Sequence, residues 1–305
     1  MNPANSGSPP QPRTVGEMLE MARSFLLRKE VEEARLEADL LVAHSLGVDR
    51  LGLLMRLEQP VQPAEVDRAR DLLVRRGRRE PVAYITGRRE FYSRSFTVSE
   101  AVLIPRHETE LLVDIVRDLV EEAGWERPRI LDVGTGSGCL AVTLSLEIPD
   151  AEIVAVDVSA KALEVARANA ERLGATVRLV EGDGLAAAGS EGPWHVIVSN
   201  PPYVDPALAG DLAPEVGEFE PPLALFAPPA DTDRWARELL AGAGSWLVPG
   251  GALVVELGHD QAPRVRELAR TAGVTHELRP DLAGIERALV ARNSSASGSS
   301  GSSGS

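Results

Sequence analysis

Four short groups of residues in this chain have types and spacings suited to chemistry. The first is Asp132-Val-Gly134-Thr135-Gly136-Ser137-Gly138, between an apolar run and a helix-forming one. Glycine at alternate positions lets a backbone pass close to a ligand and turns amide N–H groups toward it. A pyrophosphate fingerprint, G-x-G-x-x-G, needs a further glycine at position 139, where Cys139 stands. That weakens a dinucleotide reading and leaves open a nucleoside with no phosphate. The second is Asp157, 23 residues after Gly134. An acid there can accept both hydroxyl hydrogens of a ribose. Its competing role is a helix N-terminal acid beside Ser159, the expected cap. The third is Asp183 in Glu-Gly-Asp-Gly184, which could accept from an adenine amino group or serve as plain turn chemistry. The fourth is Asn200-Pro201-Pro202-Tyr203. Two prolines stiffen the backbone after a buried run. The Asn200 side-chain oxygen and the Pro201 carbonyl then become aimed acceptors, beside the aromatic Tyr203. Such a set can hold a planar –NH2 group by both hydrogens, with the nitrogen lone pair facing an electrophile.

Other reactive types carry less. The five histidines, His44, His107, His195, His259 and His276, are scattered and offer no base. No metal cluster is visible. Cys139 stands among Leu140, Ala141 and Val142 and reads as a buried small residue. Arg106, Thr109 and Glu110 precede the first strand of the sheet, where Thr109 and Glu110 suit the first turn of a helix.

The elements that position these groups follow from periodicity. From Arg129 onward, strand, turn and helix repeat. Strands are expected at Ile130–Val133, Glu152–Asp157, Val177–Val180, Val196–Ser199 and Ala252–Leu257, with two more near 275–279 and 287–291. Helices are expected over Cys139–Leu146, from Ser159 to before Gly174, over 232–246 and over 261–272. This alternation predicts an α/β fold with a doubly wound, mainly parallel sheet, whose ligands sit at the carboxyl ends of the strands. All four groups fall at such ends.

Residues 14–85 read instead as a small helical bundle. Thr14 and Glu17 form a capping box, Gly47 stops the second helix and Pro63 opens the fourth. That fourth helix ends in Arg75, Arg76, Arg78 and Arg79, expected as a solvated basic end. Phe91, Tyr92, Phe96, Val98, Val102 and Ile104 predict a β-hairpin linker over 86–104, and the catalytic domain then runs 105–293. Residues 1–13 are expected to be disordered. Residues 294–305 contain only Ser, Gly and Ala and read as a flexible tail or linker.

Composition limits the function. The chain has 305 residues, 44 % of them apolar, enough for a large core. It shows no signal-peptide pattern and no membrane-length apolar run, so a cytoplasmic location and no membrane partner are expected. One cysteine excludes a disulfide framework. The formal charge of −14 opposes an extended hold on nucleic acid, so none is expected as a direct partner. The charge is uneven: residues 1–90 sum to +1 and residues 91–305 to −15.

The glycine run together with Asn-Pro-Pro-Tyr resembles class I, Rossmann-like methyltransferases that use S-adenosylmethionine to methylate a planar amino nitrogen. Further segments narrow the resemblance. Glu80-Pro-Val-Ala-Tyr-Ile-Thr-Gly87, Glu90-Phe-Tyr92, Ile104-Pro-Arg106-His107-Glu108-Thr109-Glu110, Val216-Gly-Glu-Phe-Glu-Pro221 and Asp281-Leu-Ala-Gly-Ile-Glu-Arg287 are similar to the release-factor glutamine methyltransferase family, PrmC or HemK. The departures are His107, where Pro or Asp is common, and His259, where Tyr is common.

The resemblance implies S-adenosylmethionine as methyl donor and no metal. It implies a substrate as well: the Gly-Gly-Gln glutamine of bacterial class I peptide-chain release factors. It implies an N-terminal domain that helps hold the factor. Gly134, Thr135, Gly136, Ser137, Gly138 and Asp157 would bind the donor, with Asp183 and Gly184 near its adenine and Asn200 beside it. Asn200 and Pro201 would grip the glutamine amide, and Pro202 and Tyr203 would shape the slot. Arg106, Thr109 and Glu110 would lie over the active site. Two other readings stay open at this point. One is a DNA or RNA N6-adenine or N4-cytosine methyltransferase, which needs a basic groove. The other is a non-catalytic module that binds the donor and docks a translation factor.

Overall fold

The computed structural model describes residues 11–187 and 192–293. The chain divides into two compact units. One holds the chain up to Gly87 together with Pro214–Phe219, and the other holds Arg88–Ala213 and the chain from Glu220.

The first unit is helical: α1 (Val15–Arg28), α2 (Ala34–Leu46), α3 (Arg50–Leu54), α4 (Pro63–Arg76) and α5 (Val82–Thr86). In α1, Val15, Met18, Leu19, Ala22 and Leu26 recur on one face and are buried. The Thr14 hydroxyl accepts from the Glu17 N–H at 3.2 Å, as the capping pattern predicts. The return bond differs: Glu17 accepts from the N–H of Arg13, at 2.7 Å. Arg13 is therefore anchored, and its carbonyl also accepts from Val61. The disorder expected further upstream, and the flexible tail from residue 294, fall outside the described residues.

The basic end of α4 is not uniformly solvated. Arg76 is only 3 % exposed. It donates to Glu37 at 2.5 Å and to Glu215 at 2.7 Å. Arg75 pairs with Glu80 at the surface, as a helix end normally does. Periodicity places Arg76 near the buried stripe, but only the fold supplies two carboxylates from distant stretches of chain.

The second unit opens on a hairpin, β1 (Arg88–Phe91) and β2 (Arg94–Thr97). Tyr92 and Ser93 form its two-residue turn, both at positive φ, 48° and 59°. Phe91 and Phe96 pack edge to face at 6.0 Å and join the core beneath the sheet. The hairpin is thus part of this unit's core.

The rest alternates: α6 (Glu110–Ala123), β3 (Arg129–Val133), α7 (Cys139–Glu147), β4 (Glu152–Asp157), α8 (Ala160–Leu173), β5 (Val177–Glu181), β6 (Trp194–Ser199), α9 (Arg234–Trp246), β7 (Leu247–Glu256), α10 (Ala262–Thr271), β8 (Thr275–Pro280) and β9 (Glu286–Arg292). The seven-stranded sheet has the order β5-β4-β3-β6-β7-β9-β8. Its first five strands are parallel, and β9 pairs antiparallel with β7 and β8.

Both faces are covered, which explains why the central strands carry apolar residues on both faces, as in Ile130-Leu131, Ile153–Val156 and Val196–Val198. Ile130, Ala155, Val198 and Val254 enter the core under α6, α7 and α8. Their neighbours Leu131, Val154, Ile197 and Val255 enter the core under α9 and α10. Strand order reverses between β4 and β6 around β3, so a crevice opens at the carboxyl ends of these strands. Among the described residues, no helix is long and apolar enough to cross a membrane.

Candidate active site

A cavity of about 700 Å³ fills that crevice. Its floor is the turn after β3. Gly134, Gly136 and Gly138 all have positive φ, 77°, 55° and 78°. A Cβ at Gly134 or Gly136 would meet nothing within 4 Å, so both present open backbone. Gly138 serves packing instead: a Cβ there would lie 3.0 Å from the Ala166 Cβ, on α8. The N–H groups of Gly134 and Thr135 are spent on the Val156 carbonyl, at 2.9 and 3.0 Å, which lashes the turn to β4.

Asp157 faces this turn from the end of β4. Its carboxylate accepts from the Gly136 N–H at 2.8 Å and from the Ser159 N–H at 2.9 Å. A carboxylate has about four acceptor positions, so two remain for a ligand. Ser159 is the helix cap, as expected, and accepts from the Ala162 N–H at 3.2 Å. Asp157 therefore holds the turn and stays available to the cavity, which it lines. Asp183 and Gly184 line the far side, where Leu185, Trp235 and Leu239 make an apolar wall.

Asn200, Pro201 and Pro202 line the mouth. β6 ends at Ser199, whose hydroxyl is locked onto the Val133 carbonyl at 2.7 Å. The chain after the motif is tied down by a bridge between Val204 and Phe226. Tyr203 does not line the cavity. Its ring packs against Gly258, where a Cβ would come within 3.0 Å of it. Burial pushes the Tyr203 hydroxyl up to about 12, so it stays protonated.

The segment before α6 separates its three candidate residues. Arg106 and Thr109 line the cavity. Arg106 pairs with the buried Glu220 at 2.6 Å, and Glu220 also accepts from the Ile104 N–H at 3.0 Å. Thr109 stands at the N-cap position of α6 but makes no capping bond. Its hydroxyl instead donates to Glu256 at 2.6 Å and accepts from the Asn200 Nδ2 at 3.1 Å. Glu110 turns away to the hairpin, where it accepts from the Tyr92 N–H at 2.8 Å.

Two buried carboxylates lie just behind the cavity wall. Asp132 is fully buried, with Thr135 donating to one oxygen at 2.7 Å, and burial pushes it up to about 7. Glu256 is 3 % exposed, and burial raises it to about 7. The Cys139 thiol, at the cavity edge, is pushed up by burial to about 12, so its reactive thiolate is suppressed. Among the described residues, no group of three or more His, Cys, Asp and Glu could hold a metal ion.

Known proteins resemble this chain in sequence and in fold. Residues 17–87 fit the family model of the PrmC N-terminal domain, and residues 107–215 fit the methyltransferase small domain. The chain is 43 % identical to the release factor glutamine methyltransferase of Burkholderia pseudomallei, over 93 % of this chain and 97 % of that one. It is 45 % identical to the enzyme of the same name from Bordetella pertussis, over 83 % of this chain and 93 % of that one. The chain belongs to the release factor glutamine methyltransferase family. The catalytic domain of hMettl16, solved with an RNA hairpin, is 17 % identical with a TM-score of 0.52, and covers 75 % of this chain and 81 % of its own. At that identity the likeness extends to the fold alone.

Sequence reasoning missed three residues that matter to this family member's site. Asp132 stood inside the glycine motif but was assigned no role. Glu256 ends an apolar strand, and an acid there was the available signal. Asn169 is a polar residue on the buried face of α8. It donates to the carbonyls of Thr97 and Ser137, both at 2.9 Å, and so ties the hairpin to the glycine turn.

Proposed function

We propose that this protein transfers a methyl group from S-adenosylmethionine to the side-chain amide nitrogen, N5, of the glutamine in the Gly-Gly-Gln motif of class I release factors. The setting is the cytoplasm. The carrying observation is Asn200, whose nitrogen is engaged by Thr109, so that its oxygen is left to accept. Family membership supports the same substrate class and the helical unit's role in holding the factor.

The residues present fit the donor. The open backbone at Gly134 and Gly136 accommodates a closely approaching ligand. Asp157 retains acceptor positions for the two ribose hydroxyls. Asp183 and the apolar wall beside Trp235 suit an adenine ring. When bound, S-adenosylmethionine supplies an electrophilic sulfonium methyl group.

The protein's task is to make an amide nitrogen nucleophilic. Its lone pair is normally delocalised into the carbonyl. Asn200 Oδ1 and the Pro201 carbonyl, each accepting one N–H, raise electron density on nitrogen and fix its direction. Holding it in line is worth several kcal/mol of the barrier. As the new bond forms, the N–H groups become more acidic and both acceptors hold them more tightly, which favours the transition state over the ground state. The bond to nitrogen forms as the sulfonium–methyl bond breaks, and the amide proton, labile only late, passes by way of its acceptor to water, so a strong base is unnecessary.

Peptide mass spectrometry of a release factor incubated with the protein and labelled donor tests this reading. One added methyl on the Gly-Gly-Gln glutamine is expected. Label in DNA or RNA and none in the factor would overturn it.

A further inference from the structure

We infer that Glu256, acting through Thr109, sets which end of the Asn200 amide faces the substrate. The inference rests on the methyl-transfer reading above and assigns a positioning role to a residue outside the donor and substrate contacts.

The argument is one of hydrogen-bond polarity. The two ends of an asparagine amide have nearly the same shape. Only the oxygen can accept an N–H from the substrate amide; the flipped amide would set donor against donor. Nothing in the shape of the slot decides between the two. Glu256 does. An ionised carboxylate can only accept, so the Thr109 hydroxyl, 2.6 Å away, must donate to it. With its one hydrogen committed, the Thr109 oxygen can only accept, and it takes the Asn200 Nδ2 hydrogen at 3.1 Å. The Asn200 oxygen is thereby turned to the other side. Thr109 is 2 % exposed and Glu256 3 %, so water does not compete for these bonds. The network joins the start of α6, the end of β7 and the end of β6, three elements far apart in sequence.

The lock has a charge state. A protonated Glu256 can donate as well as accept, and the enforced direction is lost. Burial raises this carboxyl, and so does the negative charge of Glu108, while Arg287 and Arg106 oppose them. Tyr203 and Cys139 also lie within its field, both held protonated. The result is a carboxyl that titrates near 7. Turnover should therefore rise with pH through that region.

Thr109→Val removes the hydroxyl at nearly constant shape. It should lower kcat about tenfold, the worth of roughly one neutral hydrogen bond, with donor Kd close to the parent's and a lower Tm, because the buried Glu256 and the Asn200 nitrogen lose their partner. Thr109→Ser should restore most of the rate. Glu256→Gln should lose the rise with pH near neutrality. Selective 15N-asparagine labelling gives a readout that needs no substrate: the Asn200 side-chain signals, assigned by their loss in Asn200→Ala, should shift with a midpoint near 7 in the parent and not in Glu256→Gln. A parent that titrates in this way yet methylates no release factor would sink the functional reading and leave the lock standing. Parent kcat in Thr109→Val, or Asn200 signals indifferent to Glu256→Gln, would overturn the lock.

Discussion

Asp157 offers the sharpest quantitative test, because its bonds within the protein can be separated from its proposed role toward the ribose. The carboxylate holds the Gly136 and Ser159 N–H groups within the protein, at 2.8 and 2.9 Å. Its remaining acceptor positions are the ones proposed for the two ribose hydroxyls. A hydrogen bond to a charged group contributes about 1.5–3 kcal/mol, so two are worth roughly 3–6 kcal/mol. Asp157→Ala should therefore weaken donor binding by about 10²–10⁴. Asp157→Asn keeps the shape but offers one acceptor oxygen in place of two, and should lose about half that free energy. Isothermal titration calorimetry with S-adenosylhomocysteine reads these losses without turnover. Freed N–H groups on the turn also loosen it, so binding alone does not isolate the ribose. A 2′-deoxy analogue closes a double-mutant cycle. The parent should lose about 10- to 10²-fold on removal of one hydroxyl, and Asp157→Ala should be nearly indifferent to it. If the analogue loses equally on both proteins, Asp157 does not hold the ribose. If folded Asp157→Ala binds within threefold of the parent, the carboxylate serves only the turn.

Four further outcomes are expected. Asn200→Ala should cut kcat by about 10²–10³, by analogy with deleting one preorganised group of an oxyanion hole, with donor Kd nearly unchanged; parent turnover would refute the acceptor role. Folding stability should decline as pH rises, because Asp132 titrates at about 7 when folded and near 3.8 when unfolded. The folded state thus binds a proton that the unfolded state lacks, and Asp132→Asn should remove roughly 3 kcal/mol of the decline between pH 5 and pH 8 in urea titrations. Parallel curves for the two proteins would refute this. Gly138→Ala should destabilise by about 2 kcal/mol, from its left-handed φ and the 3.0 Å approach to Ala166, whereas an unchanged Tm would show that α7 and α8 can yield. The −15 balance after residue 90 should make KM for a basic release-factor loop rise with salt, and a flat response would exclude charge steering.

Much of this protein is determined locally. The parallel strands are mainly apolar, the helix after β4 carries the cap Ser159 and the stop Gly174, and Gly47 stops a helix of the first unit. These signals act within a few residues, so periodicity alone recovers the order of elements and puts the glycine turn, Asp157, Asp183 and Asn200 at strand ends. Short helices are less legible. Those at Pro206–Asp211, Pro214–Gly217 and Pro222–Leu225 have too few residues to show a period.

What only the tertiary structure decided is polarity and partnership. Periodicity cannot say that Arg76 meets Glu37 and Glu215, or that Glu110 serves the hairpin while Thr109, one residue before it, reaches Glu256 and Asn200. These contacts join residues up to 147 apart in sequence. Their hydrogen-bond directions depend on which groups burial forces to share their protons. The sequence by itself names the residues proposed as acceptors for methyl transfer. The fold decides which way the Asn200 amide faces.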